Sequence, residues 1–217
     1  MNNQCPSRCV SIALDGARWH STAEQTIRGL RAGDRVSVNG RVFTGRDRLH
    51  KYLAEGGPPP VPLGGGAIYH CGPVVAWRAS VPASRWRVTA AGPTTSMRNE
   101  SYMAAIIAAH GIRVIIGKGG MGARTAEACR EYGCVYLQAV GGAAALLAQR
   151  FRRVGGVYFL DTFGAAEAMW ELEADGLEAV VGMDTVGGNL YDEIREQSMA
   201  KLERLRACSH KRLKARQ

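Results

Sequence analysis

Residues 92–122, GPTTSMRNESYMAAIIAAHGIRVIIGKGGMG, decide the fold of this chain. Within them, the apolar-rich run 101–109 predicts a helix that ends at Gly111, because glycine commonly follows the last helical residue. The β-branched run 113–116 then predicts a short buried strand. A glycine-rich loop leads into a second predicted helix over 123–132. A strand placed between two helices indicates an α/β layered domain.

Both predicted helices begin after a polar loop that carries a cation. Arg98 precedes the first helix, and Lys118 lies in the loop GKGGMG (117–122) before the second. Free backbone N–H groups and the helix dipole make a helix N-terminus attractive to anions, and a side-chain cation strengthens that attraction. The two loops are therefore predicted to hold small carboxylates.

Upstream of this stretch, the sequence predicts a hairpin and a helix. Residues 1–29 have no sustained periodicity, which predicts a loosely attached extension. Residues 35–44 predict a β-hairpin around the Asn-Gly pair at 39–40, because this dipeptide is typical of two-residue turns. A helix is expected from about 45 to 55, and the proline-rich run 56–66 is predicted to be a loop within the domain.

Strands and helices also alternate along the rest of the chain. We predict strands at 67–71, 86–91, 135–140 and 157–160, a strand pair at 171–174 and 178–183, a helix at 143–153, a helical turn at 165–170 and a charged helix at 190–208. This alternation predicts a sheet that is partly parallel.

Composition and charge narrow the class of protein. The 217 residues are 46% hydrophobic, enough to form a core, and their net charge is +9. Residues 201–217 contain seven Lys/Arg and one Glu, so most of the excess charge belongs to a tail that we interpret as solvated rather than as a nucleic-acid surface. No apolar run approaches the ~20 residues that cross a bilayer. We expect a cytoplasmic protein with neither a nucleic-acid nor a membrane partner.

The cysteines predict no disulfide framework, and the only spacing among them that could bind a metal is Cys5-x-x-x-Cys9. All six lack C-x-x-C spacing, and in a cytosolic chain of this size they are expected to be free thiols. They are Cys5, Cys9, Cys71, Cys129, Cys134 and Cys208.

The glycine loop has a second interpretation. Gly117-x-Gly119-x-x-Gly122 matches the dinucleotide-binding fingerprint, and it lies between a predicted strand and a predicted helix. That fingerprint also needs an acidic residue about 20 positions further on, and none lies between Glu131 and Asp161. A non-catalytic module that binds a nucleotide or another small ligand through this loop is the alternative to an enzyme.

The polar residues of these motifs also have ordinary structural interpretations. Thr94, Thr95 and Ser96 can serve as N-caps of the following helix. Arg46, Asp47 and His50 can form the polar first turn of a helix. Lys118 can be a solvated residue of a helix-packing turn.

Taken together, the motifs resemble those of a known family. They are GRDRLH (45–50), IYHCGP (68–73), GPTTSMR (92–98), GKGGMG (117–122), VGGAAALL (140–147), EAMW (167–170) and MDTVGGNLY (183–191). In this order they are similar to the β subunit, or C-terminal half, of the iron–sulfur-dependent hydro-lyases, which are the class I fumarases and L(+)-tartrate dehydratases. The resemblance covers residues 30–192 and leaves 1–29 as an N-terminal extension and 193–217 as a basic C-terminal helix or tail.

This resemblance implies a fold, a reaction, a cofactor and a partner. The implied fold is a swivelling β/β/α domain with a partly parallel sheet and flanking helices. The implied reaction is reversible dehydration of a 2-hydroxy dicarboxylate, either between malate and fumarate or between L-tartrate and oxaloacetate. The implied cofactor is a [4Fe-4S] cluster held by an α subunit and not by this chain, in a hetero-oligomer of the α2β2 type.

The resemblance also implies roles for the polar residues. Thr94 matches the catalytic base, and Arg46, Arg98 and Lys118 match ligands of the substrate carboxylates. Removal of a proton next to a carboxylate builds negative charge on that carboxylate, and fixed cations stabilise this charge more than they stabilise the ground state. Arginine suits the task because its planar fork binds a carboxylate at two points.

Further residues complete the implied catalytic and substrate-binding set. Asp47 and His50 match the catalytic pattern around the first arginine and are expected to orient it, and Arg48 is an alternative to Arg46 at that position. The remaining implied substrate-binding residues are Thr95, Gly117 and Gly119.

Overall fold

Helices and strands alternate along most of the chain in a computed structural model, which describes residues 9–14, 21–77 and 86–214. The strands are β1 Cys9–Leu14, β2 Arg35–Gly45, β3 Ala67–His70, β4 Val74–Trp77, β5 Trp86–Ala90, β6 Val114–Gly117, β7 Val135–Gln138, β8 Phe151–Tyr158 and β9 Met169–Met183. The helices are α1 Ser21–Arg28, α2 Asp47–Ala54, α3 Glu100–His110, α4 Ala123–Tyr132, α5 Ala144–Ala148, α6 Leu160–Phe163 and α7 Leu190–Lys214, with a 3-10 turn at Ser96–Asn99.

Seven of the described strands form one sheet that closes on itself. Its order is β1-β2-β3-β6-β7-β9-β8, and β2 pairs with β9 as well. The neighbours from β1 to β7 run parallel, whereas β9 is antiparallel to β2, β7 and β8. The additional pairing joins β2, β3, β6, β7 and β9 into a ring, with helices α2, α3 and α4 on its outer side. The predicted α/β fold with a partly parallel sheet and flanking helices is confirmed.

The core lies on both faces of the ring. Val114 and Ile116 of β6 belong to one apolar cluster, while Ile115 between them belongs to the other, as the alternation of side chains along a strand requires. The second cluster contains Met103 and Ile106 of α3. Helix α3 therefore buries one face against the strand that follows it, as expected for the run 92–122.

The N-terminal prediction is wrong for the described part of residues 1–29. Strand β1 pairs in parallel with β2 from Cys9 opposite Arg35 to Leu14 opposite Gly40. Leu14 of β1 and Ile27 of α1 are buried in the main core. Short segments carry little periodicity, so the sequence concealed a sheet strand.

The two predicted strand pairs are each one bent strand. Gly40 has φ +94° and Gly176 has φ +67°, and both lie inside long strands at a point where the register between β2 and β9 shifts. A Cβ on Gly40 would lie 2.3 Å from the carbonyl oxygen of Leu14, so the close approach of β1 also requires glycine here. The Asn39 side chain receives a hydrogen bond from the Gly176 amide at 2.8 Å. The Asn-Gly signal therefore marks a bulge and not a turn.

The other element predictions are confirmed except near the C-terminal third. The predicted helix 143–153 ends at Ala148, because Phe151 begins β8. The predicted helical turn at 165–170 is confirmed up to residue 168, where the Ala168 N–H donates to the Gly164 carbonyl at 2.8 Å, and is wrong beyond it because Met169 begins β9. The predicted strand 157–160 is only the end of β8, which stops at Tyr158 before α6. Helix α7 is longer than predicted, and among the described helices none is long and apolar enough to span a bilayer.

Candidate active site

The carboxyl ends of three neighbouring parallel strands meet at one polar cavity. Arg46 directly follows β2, Gly72 lies two residues after β3, and Lys118 directly follows β6. The cavity has a volume of about 410 Å³ and is lined by Arg46, Gly72, Gly92, Pro93, Thr94, Thr95, Arg98 and Lys118. The edge where parallel strands end is the usual location of ligand sites in α/β sheets. The structure thus brings together five of the residues predicted for the site, which come from three separate motifs of the sequence.

The choice between Arg46 and Arg48 follows from their contacts. Arg46 lines the cavity, whereas the Arg48 guanidinium is directed to the carbonyl oxygen of Phe163, at 3.4 Å. The backbone N–H of Arg48 donates to the Glu167 carboxylate at 3.0 Å, and the other oxygen of that carboxylate lies 3.5 Å from Nε of Arg46. Arg46 is therefore the arginine available to a ligand in the cavity.

The segment that carries Thr94 is fastened to two strands. The Thr94 N–H donates to the His70 carbonyl (2.7 Å), and the Ser96 N–H donates to the Lys118 carbonyl (3.0 Å). The Ser96 hydroxyl also contacts His70 Nδ1 at 2.8 Å and accepts a hydrogen bond from the Tyr136 hydroxyl at 3.0 Å. These contacts fix the backbone of the segment beside the end of β6.

The Thr94 hydroxyl faces a cation. It accepts a hydrogen bond from Nη2 of Arg98 at 2.8 Å. Neither the 3-10 turn, whose N-cap is Thr95, nor α3, whose N-cap is Asn99, has a side-chain capping hydrogen bond. Thr95 therefore has the N-cap position but does not cap through its side chain, and the N-cap interpretation is wrong for Thr94 and Ser96.

The three cations of the cavity differ in their neighbours. Arg46 faces Glu167, and Arg98 lies 3.7 Å from the carboxylate of Asp47. Within the described residues, Lys118 has no carboxylate within ion-pair distance. The positive charge of Lys118 is thus the one least offset by the chain itself.

Four backbone amides of the glycine loop and of the start of α4 already donate to side chains of the same chain. The N–H groups of Gly122, Arg124 and Thr125 all donate to the Glu100 carboxylate, at 2.8 to 3.2 Å. The Gly119 N–H donates to the side chain of Gln138 at 3.0 Å. The prediction of an anion site at the N-terminus of α4 is therefore wrong, because a carboxylate of the same chain already occupies it. The dinucleotide interpretation loses the amides that would hold a pyrophosphate.

Gly117 and Gly119 have packing roles and do not line the cavity. A Cβ on Gly117 would lie 1.9 Å from the Ser96 hydroxyl, so glycine is needed for the Thr94 segment to approach β6. Gly119 has φ +79°, a conformation that side chains disfavour. Both glycines therefore shape the loop that carries Lys118.

Asp47 and His50 lie behind the cavity wall. Asp47 pairs with Arg98 and not with the arginine at position 46 that it was expected to orient. His50 is fully buried, its Nδ1–H donates to the Arg46 carbonyl at 2.7 Å, and its ring packs edge-on against His70 at a centroid distance of 4.8 Å. His50 thus contacts the backbone of Arg46, while its side chain does not reach the cavity.

The buried histidine pair predicts that stability falls in mild acid. Burial lowers the pKa of His50 to about 4, and burial together with the neighbouring His50 lowers the pKa of His70 well below its usual value. Both rings are neutral in the folded chain, whereas unfolded histidines take up protons below about pH 6.5. The unfolded state therefore binds more protons between pH 6.5 and 4, and stability decreases as the pH falls through this range.

We expect His50 alone to account for about 2 kcal/mol of lost unfolding free energy between pH 7 and pH 5. Urea unfolding at the two pH values measures this loss, and His50→Asn should reduce it because asparagine does not titrate. An equal loss in wild type and variant would mean that His50 is already accessible to protons in the fold.

The sequence interpretation missed residues that support the cavity from behind. Glu167 faces Arg46, and Ser96, His70 and Tyr136 form a buried hydrogen-bonded group under the Thr94 segment. Glu167, His70 and Ser96 lie in the motifs EAMW, IYHCGP and GPTTSMR, so the family resemblance could have pointed to them. Their contacts join distant parts of the chain and were not deducible from spacing.

The sequence of this chain is similar to those of several known proteins. The family model described as Fumarase C-terminus matches residues 2–194. A putative fumarate hydratase class I from Geobacillus stearothermophilus is 46% identical over 183 residues, which are 84% of this chain and 35% of the relative. A putative L(+)-tartrate dehydratase subunit beta from Methanocaldococcus jannaschii is 36% identical over 192 residues, covering 86% of this chain and 96% of the relative. The L(+)-tartrate dehydratase subunit beta of Escherichia coli K12 is 33% identical over 171 residues, covering 78% and 83%. The chain thus spans about a third of the Geobacillus relative and most of the two subunits.

Proposed function

This chain belongs to the fumarase C-terminus family, and on that premise we propose that it is the β subunit of a two-subunit hydro-lyase that dehydrates a 2-hydroxy dicarboxylate. The observation that carries the proposal is the cavity, which is lined by Thr94 and by three cations, Arg46, Arg98 and Lys118. A substrate with two carboxylates and an acidic C–H between them complements this set in charge and in chemistry. The relatives are named for fumarate and for L(+)-tartrate, so malate, which is hydrated fumarate, and L-tartrate are the two substrates that we favour.

We assign the role of the base to Thr94. A hydroxyl removes a proton from carbon poorly unless a nearby cation favours its alkoxide form. Arg98 supplies such a cation, because its Nη2 lies 2.8 Å from the Thr94 oxygen. In this proposal, Thr94 takes the proton next to a substrate carboxylate, the electron pair of the C–H bond forms a carbon–carbon double bond, and the hydroxyl of the neighbouring carbon leaves as water. A cluster on the partner would supply the Lewis acid that helps this hydroxyl to leave.

The cations hold the two carboxylates and stabilise the charge that develops. Arg46 follows β2 and Lys118 follows β6, the two strands on either side of β3, so both side chains approach a ligand from the same rim of the sheet. Lys118 has its full charge available, and it suits the carboxylate that gains negative charge when the proton leaves. Fixed donors of this kind need no rearrangement during the reaction.

The described residues do not fit the iron–sulfur cluster that the resemblance implies, and Cys5 lies outside those residues. Among the described residues, no group of three His, Cys, Asp or Glu side chains is arranged to hold a metal. Burial raises the pKa of the Cys71 thiol to about 12 and raises the pKa of Cys134 as well, which disfavours the thiolates that bind iron. We propose that the cluster is held by an α subunit.

An α subunit would also cover the open cavity. Three exposed apolar side chains lie near the cavity in sequence: Val74, Met97 and Val140. Val74 is two residues from Gly72 and Met97 is next to Arg98, both of which line the cavity. Val140 precedes Gly141, which packs near Lys118. Exposed apolar residues beside a polar cavity are typical of a surface that a partner buries. The names of two relatives as beta subunits support the same partner, and we propose an assembly of the α2β2 type.

A dehydratase assay tests the proposed function. The chain is co-expressed with a partner that carries three cluster-spaced cysteines, purified without oxygen, and assayed with malate, fumarate and L-tartrate. We expect turnover of at least one of these compounds. Absence of turnover, together with binding of an adenine nucleotide by the isolated chain, would favour the non-catalytic alternative.

The isolated chain is expected to be colourless and inactive. It lacks a described cluster site, so residues 1–217 purified alone should show none of the visible absorbance of an iron–sulfur cluster. Absorbance spectra and assays under the same anaerobic conditions as for the assembled enzyme provide the measurement. Brown protein with dehydratase turnover would show that this chain binds the cluster itself.

A further inference from the structure

We propose that Glu167 is a positioning residue that sets the orientation of the Arg46 guanidinium in the cavity. The inference rests on the proposed function, because it assigns Arg46 to a substrate carboxylate. Glu167 itself does not line the cavity and is not expected to touch the substrate.

One carboxylate of Glu167 joins the arginine to a helix. Its Oε1 lies 3.5 Å from Nε of Arg46, and its Oε2 accepts a hydrogen bond from the Arg48 N–H at 3.0 Å, in the first turn of α2. The Glu167 side chain is only 19% exposed. The second contact fixes the carboxylate, so the first can fix the direction of the guanidinium.

Three contacts then hold Arg46 along its length. The Nδ1–H of His50 donates to the backbone carbonyl of Arg46. The aliphatic stem packs under Gly72, where a Cβ would lie 2.7 Å from Cδ of Arg46. The buried Nε makes no hydrogen bond and lies at ion-pair distance, 3.5 Å, from the Glu167 carboxylate, which leaves the two terminal nitrogens as the part of the side chain that can reach a ligand. Such end-on presentation suits two-point binding of a carboxylate.

Removing the charge of Glu167 should affect catalysis through Arg46. Glu167→Gln keeps an oxygen for the Arg48 N–H and removes the ion pair, so the helix contact survives while the guanidinium gains freedom. Misplacement of a binding group by about 1 Å can cost on the order of 100-fold in rate, and we expect kcat/KM of the assembled enzyme to fall about 10- to 100-fold. The melting temperature should change little.

Glu171→Gln is a matched control. Glu171 pairs with Arg41 at 3.7 Å. The Glu171 side chain is 20% exposed, against 19% for Glu167, and the Arg41 side chain is 27% exposed, against 28% for Arg46. The control removes an ion pair of equal burial, but neither of its residues lines the cavity. We expect kcat/KM of Glu171→Gln to stay within about twofold of wild type.

A double-mutant cycle separates positioning from a general structural role. In an Arg46→Lys background the guanidinium is absent, so the further effect of Glu167→Gln should be below about twofold. A full 10-fold or larger loss in that background would overturn the proposal, because Glu167 would then act independently of Arg46. So would wild-type kinetics of Glu167→Gln.

A measurement on the full chain without its partner distinguishes failure of this inference from failure of the proposed function. Hydrogen exchange at Nε of Arg46, followed by NMR with specifically labelled arginine, should accelerate at least about tenfold in Glu167→Gln and remain unchanged in Glu171→Gln. Unchanged exchange in Glu167→Gln would overturn the positioning role whatever the enzyme does. Accelerated exchange in a chain whose assembled form dehydrates no dicarboxylate would keep the contact and remove the proposed function.

Discussion

Replacing Thr94 with alanine is expected to lower turnover of the assembled enzyme by several orders of magnitude, while folding and substrate binding persist. The substrate proton would lose its acceptor. The structure makes the stability cost small, because the Thr94 hydroxyl caps no helix and bonds with Arg98 alone among the contacts described. Solvent-deuterium exchange into the acidic C–H of the substrate measures the proton transfer directly.

Two variants control this prediction. Thr94→Ser keeps the hydroxyl and should retain part of the activity. Thr95→Ala removes the neighbouring cavity-lining threonine, whose side chain has no described contact with Arg98, and should be the milder change. Exchange at the wild-type rate in Thr94→Ala would exclude Thr94 as the base and would direct the search to Asp47, the nearest carboxylate to Arg98.

Replacing Lys118 with alanine should reduce kcat/KM by about 100-fold or more, which corresponds to roughly 3 kcal/mol of transition-state stabilisation. Lys118 is the cavity cation with no described carboxylate partner, so its charge is available to the substrate. Steady-state kinetics with the preferred dicarboxylate provides the measurement. Arg98→Ala should cause a loss of similar size, because it removes a cation and also the hydrogen-bond partner of Thr94.

Lys51→Ala is the control for lost surface charge. Lys51 pairs with Glu55 on the exposed side of α2, with 61% of its side chain accessible. Its replacement should leave kcat/KM unchanged. If Lys118→Ala loses less than about fivefold in kcat/KM, Lys118 does not bind the substrate and is only a solvated residue of the helix-packing turn.

The elements predicted best from the sequence are those whose signals are local. Helix α3, strand β6 and helix α4 have clear periodicity, and both helices end at a glycine in the left-handed conformation, Gly111 and Gly133. By contrast, the sequence predicted β2 and β9 each as two strands separated near a glycine, whereas each is one strand in the structure. Whether a glycine makes a turn or a bulge depends on the partner strand, and here the two strands pair with each other from opposite ends of the chain.

The same distinction holds for the site. The residues of the cavity lie in motifs that are contiguous in sequence, so Thr94, Arg98 and Lys118 were accessible to a family resemblance. The carboxylates behind them were not. Glu167 acts across 119 positions from Arg48, and Asp47 pairs with the arginine of another motif. Local sequence patterns do not encode which charged partner a side chain meets after the sheet has closed.

Closure of the ring also determines when the cavity can form during synthesis. The contacts between β2 and β9 join residues as distant as Arg35 and Val180, and pairings of such long range are the slow steps of folding. Arg46 follows the end of β2, and Glu167 precedes the start of β9, so the two approach each other only as the ring closes. A nascent chain that has not yet released β9 from the ribosome would therefore carry Thr94 and Lys118 but no oriented Arg46. The last strand of the ring to emerge completes the cavity.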